Sequence, residues 1–124
     1  MRCLRTAVLV WLILAPPAFA GLKEAELAYS RGDYATALRE LRPLAEQGDV
    51  GAQLFLATMY EDGKGVPQDY IQAYKWYALT AVRGDQTFAI FRVRIAEQMT
   101  SSQIVEAQKL VREWAKLDKQ RRRP

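Results

Sequence analysis

Few side chains in this sequence could carry catalysis or hold a metal ion. The 124 residues contain no histidine, and their single cysteine is Cys3. Ser-His-Asp and Cys-His relays, imidazole ligands and structural zinc sites all need residue types that this composition lacks. One thiol also cannot form an internal disulfide. We therefore predict no catalytic residues, no metal site and no cofactor.

The neighbouring acids Glu61 and Asp62 are the next candidates for chemistry, because paired carboxylates can act as general acid and base. Side chains of adjacent residues in a helix point about 100° apart, so these two do not converge on one substrate atom. The same holds for the close pair Glu24 and Glu26. We interpret both pairs as solvated helix faces.

The segment Gly63-Lys64-Gly65 superficially suggests a phosphate-binding loop. Such a loop follows a strand and leads directly into a helix N-terminus. Here the preceding pattern is helical and Pro67 interrupts the exit. We predict a structural turn instead, in which the glycines adopt positive φ and Val66 folds back between two helices.

Residues 1–20 have the pattern of a secretion signal. Arg2 and Arg5 precede an apolar run at residues 7–15, and small residues at Ala18 and Ala20 suit a signal peptidase. The apolar stretch is shorter than the roughly 20 helical residues that a bilayer requires. We predict a signal peptide at 1–20, an exported chain that is periplasmic or secreted, and no stable membrane insertion after cleavage; an uncut membrane anchor is the alternative.

Positive charge concentrates at the C-terminus. The chain has a formal net charge of +4, and it ends in Lys119 and the run Arg121-Arg122-Arg123. We predict a basic tail at residues 119–124 that forms a frayed, solvated terminus. Contact of this tail with a polyanion or anionic lipid is the alternative. Nucleic acid is not expected as a partner of an exported chain.

An internal repeat organises the rest of the chain. The segment at 33–38 (DYATAL) is similar to the segment at 69–74 (DYIQAY), an offset of 36 residues (69 − 33). Gly48 and Gly84 keep the same offset. A third, diverged copy follows near an offset of 34 (107 − 73), with Ala107 in the place of Ala73. Periods of this length are typical of stacked helix pairs.

Residues that are typical of helix ends recur along the repeats and predict helices throughout. Asp33 and Asp69 each precede a helical pattern as N-caps, and Thr100 with Gln103 has the spacing of a capping box. Gly48 and Gly84 are placed where a helix would end in a left-handed residue. The predicted fold is all-α, a right-handed α-α superhelix of about three helix pairs at residues 21–118, with helices at 22–30, 34–46, 50–62, 70–83, 86–98 and 101–117.

The middle copy carries the most specific pattern, an alanine-rich helix, a Gly-x-Gly-Val loop and a helix with a Trp-Tyr pair. It resembles the Sel-one-like repeat, a tetratricopeptide-related family with exported bacterial members. Ala57 departs from that pattern, which usually has glycine there. The resemblance implies that the following residues shape the repeat: Ala52, Tyr60, Gly63, Gly65, Val66, Asp69, Ala73, Trp76, Tyr77, Ala81 and Gly84.

Solenoids of paired helices bind partners on a concave wall built mainly from the first helix of each pair. On the helix at 50–62, the core face runs through Ala52 and Leu56. We predict a partner groove on the other side of this helix and the first one, at Leu27, Leu54, Phe55, Thr58 and Glu61. In the alternative, Phe55 packs on Tyr29 or Val93 and leaves only Leu54 exposed.

The predicted function is a non-enzymatic protein–protein interaction module or adaptor in the cell envelope or outside the cell. Its partner would be an unidentified protein or peptide. Because members of the resembled family are linked to cell-wall ligands, the alternative is a cell-wall-ligand-binding protein, or an exported enzyme or enzyme inhibitor. A deep pocket with converging polar side chains would favour the alternative, and a shallow groove would favour the adaptor.

Overall fold

The computed structural model describes residues 21–84 and 86–124. This part of the chain contains helices and no strand, so the predicted all-α repeat class is confirmed. None of its helices combines the length and the apolar character needed to cross a bilayer. The signal peptide predicted at 1–20 lies outside the described residues. The helices are α1 (Gly21–Ser30), α2 (Tyr34–Glu46), α3 (Val50–Asp62), α4 (Tyr70–Arg83), a short 3-10 turn (Gln86–Phe88), α5 (Ala89–Ala96) and α6 (Ser101–Arg121).

The helices stack largely in chain order. Helix α1 packs on α2, α2 on α3, and α3 on α4, while α5 and α6 both pack on α4. Each helix buries an apolar stripe on its neighbours, because an isolated pair leaves one apolar face uncovered. The stack therefore holds two close helix pairs, α1 with α2 and α3 with α4, while α5 and α6 pack mainly on α4 rather than on each other.

Acidic or hydroxyl side chains start four of the helices. The side chains of Asp33, Asp49 and Asp69 each accept a hydrogen bond from the backbone N–H three residues later, at 3.3, 2.8 and 3.1 Å. Thr100 and Gln103 form a complete capping box with bonds of 2.9 and 3.2 Å. These caps satisfy free N–H groups of the first turn, and they confirm the predicted starts of α2, α4 and α6.

The turn between α3 and α4 has the predicted conformation. Gly63 ends α3 in the left-handed region with φ +68°, and Gly65 follows with φ +73°. The Asp69 N–H donates to the Tyr60 carbonyl over 2.9 Å and closes the loop. Val66 is half-buried against the core. The Gly-Lys-Gly segment is thus a structural turn that brings α4 back along α3.

The prediction of a left-handed Gly84 is wrong. Its φ is −95°, in extended backbone. A Cβ here would lie 2.6 Å from the Thr80 carbonyl oxygen and 3.1 Å from the Phe88 ring. Glycine is therefore required by a close approach rather than by backbone handedness. The helix predicted at 86–98 is also shorter, because Phe88 provides no side-chain cap and a 3-10 turn precedes α5.

The core combines small and large apolar side chains. Alanines at helix contacts allow close approach, whereas Trp76 and Tyr77 fill the wider spaces and are buried. The methyl group of Ala57 is fully buried, so the departure from glycine is accommodated. In α6 the inward positions belong to Ala107 and Trp114, while Ala115 faces solvent.

Helix α6 continues past the domain boundary that the sequence predicts at residue 118. The Arg121 Nη1 donates to the Glu46 carbonyl oxygen of α2 over 2.8 Å. Asp118 forms ion pairs with Arg83 and with Arg122, the latter at 3.1 Å. The basic residues up to Arg122 are therefore part of the folded unit, which corrects the expectation of a frayed tail at 119–124.

Candidate binding groove on the α1, α3 and α5 face

An open groove of about 320 Å³ runs along the first helices of the pairs. Helix α3 supplies half of its lining residues, and α1, α4 and α5 each add one aromatic ring. The lining residues are Tyr29, Leu54, Phe55, Thr58, Tyr77 and Phe91. Concave, mostly apolar surfaces of this kind are where helical repeats bind partners.

Two groups of aromatic rings shape the groove. The Tyr29 ring packs edge-on against Phe55 and Tyr34, with centroid distances of 5.5 and 5.3 Å. The Tyr77 ring stacks on Phe91 at 5.4 Å. Such contacts hold large side chains in fixed positions. The groove therefore presents preformed aromatic surfaces rather than mobile side chains.

A lysine from the glycine loop lies over the first ring group. The Lys64 Nζ is 3.4 Å from the Tyr29 hydroxyl oxygen and 5.4 and 5.8 Å from the Tyr29 and Tyr34 ring centroids. The hydrogen bond to Tyr29 raises the pKa of Lys64 above its ordinary value. The loop thus adds a positive charge near the α1 side of the groove.

Glu61 connects three polar side chains beside the second ring group. Its Oε2 accepts the Tyr77 hydroxyl at 2.6 Å and the Arg94 Nη2 at 2.9 Å. The Thr58 Oγ1 lies 3.4 Å from the Tyr77 hydroxyl oxygen. Burial raises the pKa of Tyr77 to about 12, and the hydrogen bond to Glu61 acts in the same direction. Tyr77 is therefore a neutral hydrogen-bond donor at physiological pH.

The raised pKa of Tyr77 makes stability depend on pH in the alkaline range. The folded state holds this proton up to pH 12 or so, whereas an unfolded tyrosine loses it near pH 10. The stabilisation is complete below about pH 10 and is lost as the pH rises toward about 12. Absorbance titration at alkaline pH should show a late tyrosinate component that Tyr77→Phe removes. A Tyr77→Phe titration curve identical to that of the wild type would contradict this.

The structure brings together three of the five residues predicted for the groove. Leu54, Phe55 and Thr58 line it side by side. Leu27 is 46% exposed on α1 but does not belong to the lining. Glu61 also lies outside the lining and acts on the groove through the Tyr77 hydroxyl.

Both interpretations of Phe55 describe part of the structure, because it packs on Tyr29 and still lines the groove. Tyr29, Tyr77 and Phe91 were not predicted as lining residues. The repeat period contained a signal for Phe91, which lies 36 residues (91 − 55) after Phe55. Tyr77 was predicted as a residue that shapes the repeat; it is buried in the core, and its edge also reaches the groove.

The described residues contain no cluster of three or more His, Cys, Asp or Glu side chains placed to hold a metal ion. The carboxylate of Glu61 is already engaged by Tyr77 and Arg94, while Asp62 is exposed. The arrangement of these two acids does not converge on a common point in the groove. The chemistry that this surface supports best is binding through aromatic and apolar contacts.

Stacked helix pairs, a glycine turn inside one pair and a groove along the first helices define an all-α helical-repeat protein. The family model of the Sel1 repeat matches residues 50–85, which span α3, the glycine turn and α4. The chain therefore contains a Sel1 repeat, which confirms the Sel-one-like resemblance. Sel1 repeats are protein-interaction modules.

One similar curated protein is an "Exopolysaccharide production negative regulator" of Rhizobium leguminosarum bv. viciae. It is 42% identical over 57 residues, which cover 46% of this chain. The match spans 21% of that relative's length. No solved structure gives a significant match.

Proposed function

We propose that this chain is a non-enzymatic interaction module that binds a short segment of a partner protein in the groove on α1, α3 and α5. The aromatic lining of that groove is the observation that carries the proposal. Tyrosine and other aromatic side chains dominate binding energy at protein interfaces, because they bury much area at little entropic cost. The Sel1 repeat in α3 and α4 supports the same conclusion.

The charges around the groove indicate which segment fits best. Arg94 is already paired with Glu61 at 2.9 Å. Lys64 contacts tyrosine side chains and forms no ion pair within the described residues. An acidic residue of the partner could therefore reach Lys64 while an apolar side chain occupies the space beside Leu54. We expect a partner segment that combines one large apolar anchor with an acid.

The alternative of a wall-ligand-binding protein or an exported enzyme needs polar groups that remain free to engage a ligand. Here Tyr77 and Arg94 both donate hydrogen bonds to the Glu61 carboxylate. Most of the remaining lining is aromatic or aliphatic. These contacts favour a protein segment as the occupant of the groove.

We also propose that the module works outside the cytoplasm, in the envelope or in the medium. The basic start, the short apolar run and the small residues before Gly21 support export. Intact-mass measurement of the protein expressed with its full N-terminus should show a chain that begins at Gly21. A recovered chain that still carries residues 1–20 would contradict export through cleavage.

Groove variants test the binding proposal. Peptides selected from a random display library on the wild-type domain should bind Leu54→Ser/Phe55→Ser at least about tenfold more weakly, because truncated anchors cost 1–2 kcal/mol or more. The single variant Leu54→Ser keeps the Phe55–Tyr29 contact and serves if the double variant unfolds. Binding is measured by fluorescence anisotropy with labelled peptide.

A matched control removes two apolar side chains elsewhere. Val105 and Leu117 on α6 are 62% and 51% exposed and lie outside the groove. The variant Val105→Ser/Leu117→Ser should retain wild-type affinity. If a library yields no binders, or if the groove variant and this control bind equally well, the groove is not the interaction site.

A further inference from the structure

The outer face of α6 carries a line of cations. Lys109, Arg112, Lys116 and Lys119 follow one another at spacings of three or four residues, which places them on one side of the helix. All four are exposed, and Lys109 forms an ion pair with Glu113 at 3.9 Å. The buried side chains Ala107 and Trp114 mark the opposite side of α6. These four residues, called the α6 cationic stripe below, extend over about 15 Å of helix.

The stripe adjoins a cleft between α5 and α6. The cleft has a volume of about 210 Å³. Its floor comes from α4 and its two walls from α5 and α6. The lining residues are Tyr74, Ala78, Arg92, Gln108, Val111 and Arg112.

Two arginines face this cleft from different walls. Arg92 is half-buried on α5, and Arg112 belongs to the stripe on α6. Within the described part of the chain, neither takes part in an ion pair or a side-chain hydrogen bond. Like charges in one small cleft repel each other, and an anionic group between them would relieve this. Guanidinium groups bind carboxylate, sulfate and phosphate through paired hydrogen bonds.

We propose that the cleft and the stripe bind a linear acidic polysaccharide. One carboxylate or sulfate sits between Arg92 and Arg112, and further anionic groups of the same chain contact Lys116 and Lys119. The amide of Gln108 lines the cleft and can hydrogen-bond a sugar hydroxyl. This surface lies apart from the groove on α1, α3 and α5, so the two sites can be occupied together.

The shape of the site favours a polysaccharide over other anionic partners. A flat bilayer cannot reach Arg92, which is recessed between two helices. A protein segment gains most affinity from apolar anchors, whereas the stripe offers cations and the small Ala115. Single-stranded nucleic acid stacks its bases on open aromatic faces, but Tyr74 in this cleft is only 6% exposed.

The terminal arginines are not the centre of this site. Arg121 is bound to Glu46, and Arg122 is paired with Asp118. These internal contacts reduce what the two side chains can offer a ligand. The sequence suggested, as an alternative, that the run Arg121-Arg122-Arg123 binds a polyanion. The surface that we propose for this role is instead the cleft with the α6 cationic stripe.

Substitutions that remove positive charges from the cleft test the proposal. Heparin fragments and polygalacturonate should bind the full chain, as measured by calorimetry at several salt concentrations. Arg92→Gln/Arg112→Gln should lower the affinity roughly tenfold or more, because charge-assisted hydrogen bonds are lost. The slope of log K against the logarithm of the salt concentration should become shallower by about 2, because two charge contacts are lost. Arg112→Gln alone serves if the double variant does not fold, because Arg112 is exposed.

A matched control removes the same two charges from α2. Arg39 and Arg42 are exposed and lie outside the cleft. Arg39→Gln/Arg42→Gln should change the affinity by less than about twofold. If both double variants lost the same affinity for the polysaccharides, net charge alone would explain the binding, and the proposed site would be wrong. The proposal is equally overturned if neither polysaccharide binds, or if phosphatidylglycerol vesicles or polyglutamate bind more tightly than either polysaccharide.

Discussion

Gly65→Ala is expected to destabilise the folded protein by about 3 kcal/mol, from positive φ and from overpacking together. Gly65 has φ +73°, a conformation that costs an L-residue with a side chain. An added Cβ would lie 2.8 Å from the Tyr34 Cβ and 3.1 Å from the Leu38 Cδ1. Tyr34 Cβ is fixed by the backbone of α2, so it cannot swing aside. Urea denaturation followed by circular dichroism measures this change.

Gly32→Ala is a control that separates the two causes. Gly32 has φ +78°, but no atom lies within 4 Å of the position of an added Cβ. This variant should therefore lose about 1 kcal/mol, from the backbone alone. The difference between the two variants is the energy of packing the glycine turn on α2. Equal losses would show that the turn does not pack tightly on the preceding pair.

Leu56→Ala is expected to destabilise the protein by about 3–4 kcal/mol, which is typical of a fully buried leucine in a core. Leu56 is 1% exposed and lies in the centre of α3, between the first pair and α4. Removal of its side chain leaves a cavity between layers that the neighbouring helices can only partly close. The midpoint in urea should fall while the slope of unfolding free energy against urea stays constant.

Leu54→Ala on the same helix is the matched comparison. Leu54 is half-buried and lines the groove, so its truncation leaves solvent-accessible space rather than a sealed cavity. Its expected cost is about 1 kcal/mol. A loss as large as that of Leu56→Ala would mean that Leu54 belongs to the core. The groove would then be shallower than the structure shows.

The parts of the fold that depend on local chemistry could be predicted from the sequence. The bounds of α2, α3 and α4 agree with the predicted ranges, because an aspartate or a glycine marks most of their ends. Asp33 and Asp69 form the expected caps, and Gly63 has the expected left-handed conformation. Each of these signals acts over four residues or fewer, so a single sequence contains it in full.

Features that depend on distant contacts were predicted less well. Helix α6 extends to Arg121 because that side chain bonds to Glu46, 75 residues earlier. Gly84 is a separate case, because the atoms that crowd it belong to Thr80 and Phe88, which are each only four residues away in the sequence. The side chain of Phe88 forms no capping hydrogen bond, and no residue type near it predicts the 3-10 turn.

The candidate groove was predicted in its centre but not at its two sides. The period of the helix placed Leu54 and Thr58 on the face away from Leu56, with Phe55 on its flank. Whether Tyr29 and Phe91 complete that face depends on how α1 and α5 pack beside α3, and helical periodicity does not contain this information. The same limit explains the cleft between α5 and α6, where Arg92 and Arg112 meet across a sequence gap of 20 residues (112 − 92).

The attachment of α6 to α2 changes how this small stack should respond to stress. In an ordinary repeat array each unit contacts only its neighbours, so the ends can fray one unit at a time. Here the Trp114 Nε1 donates to the Glu46 carboxylate over 3.1 Å, which joins the last helix to the first pair across the middle of the stack. Partial opening at the C-terminal side must break contacts made by the N-terminal side. Helix α6 is thus held by α4 and by α2 together, so its separation from the stack requires contacts with both helices to break.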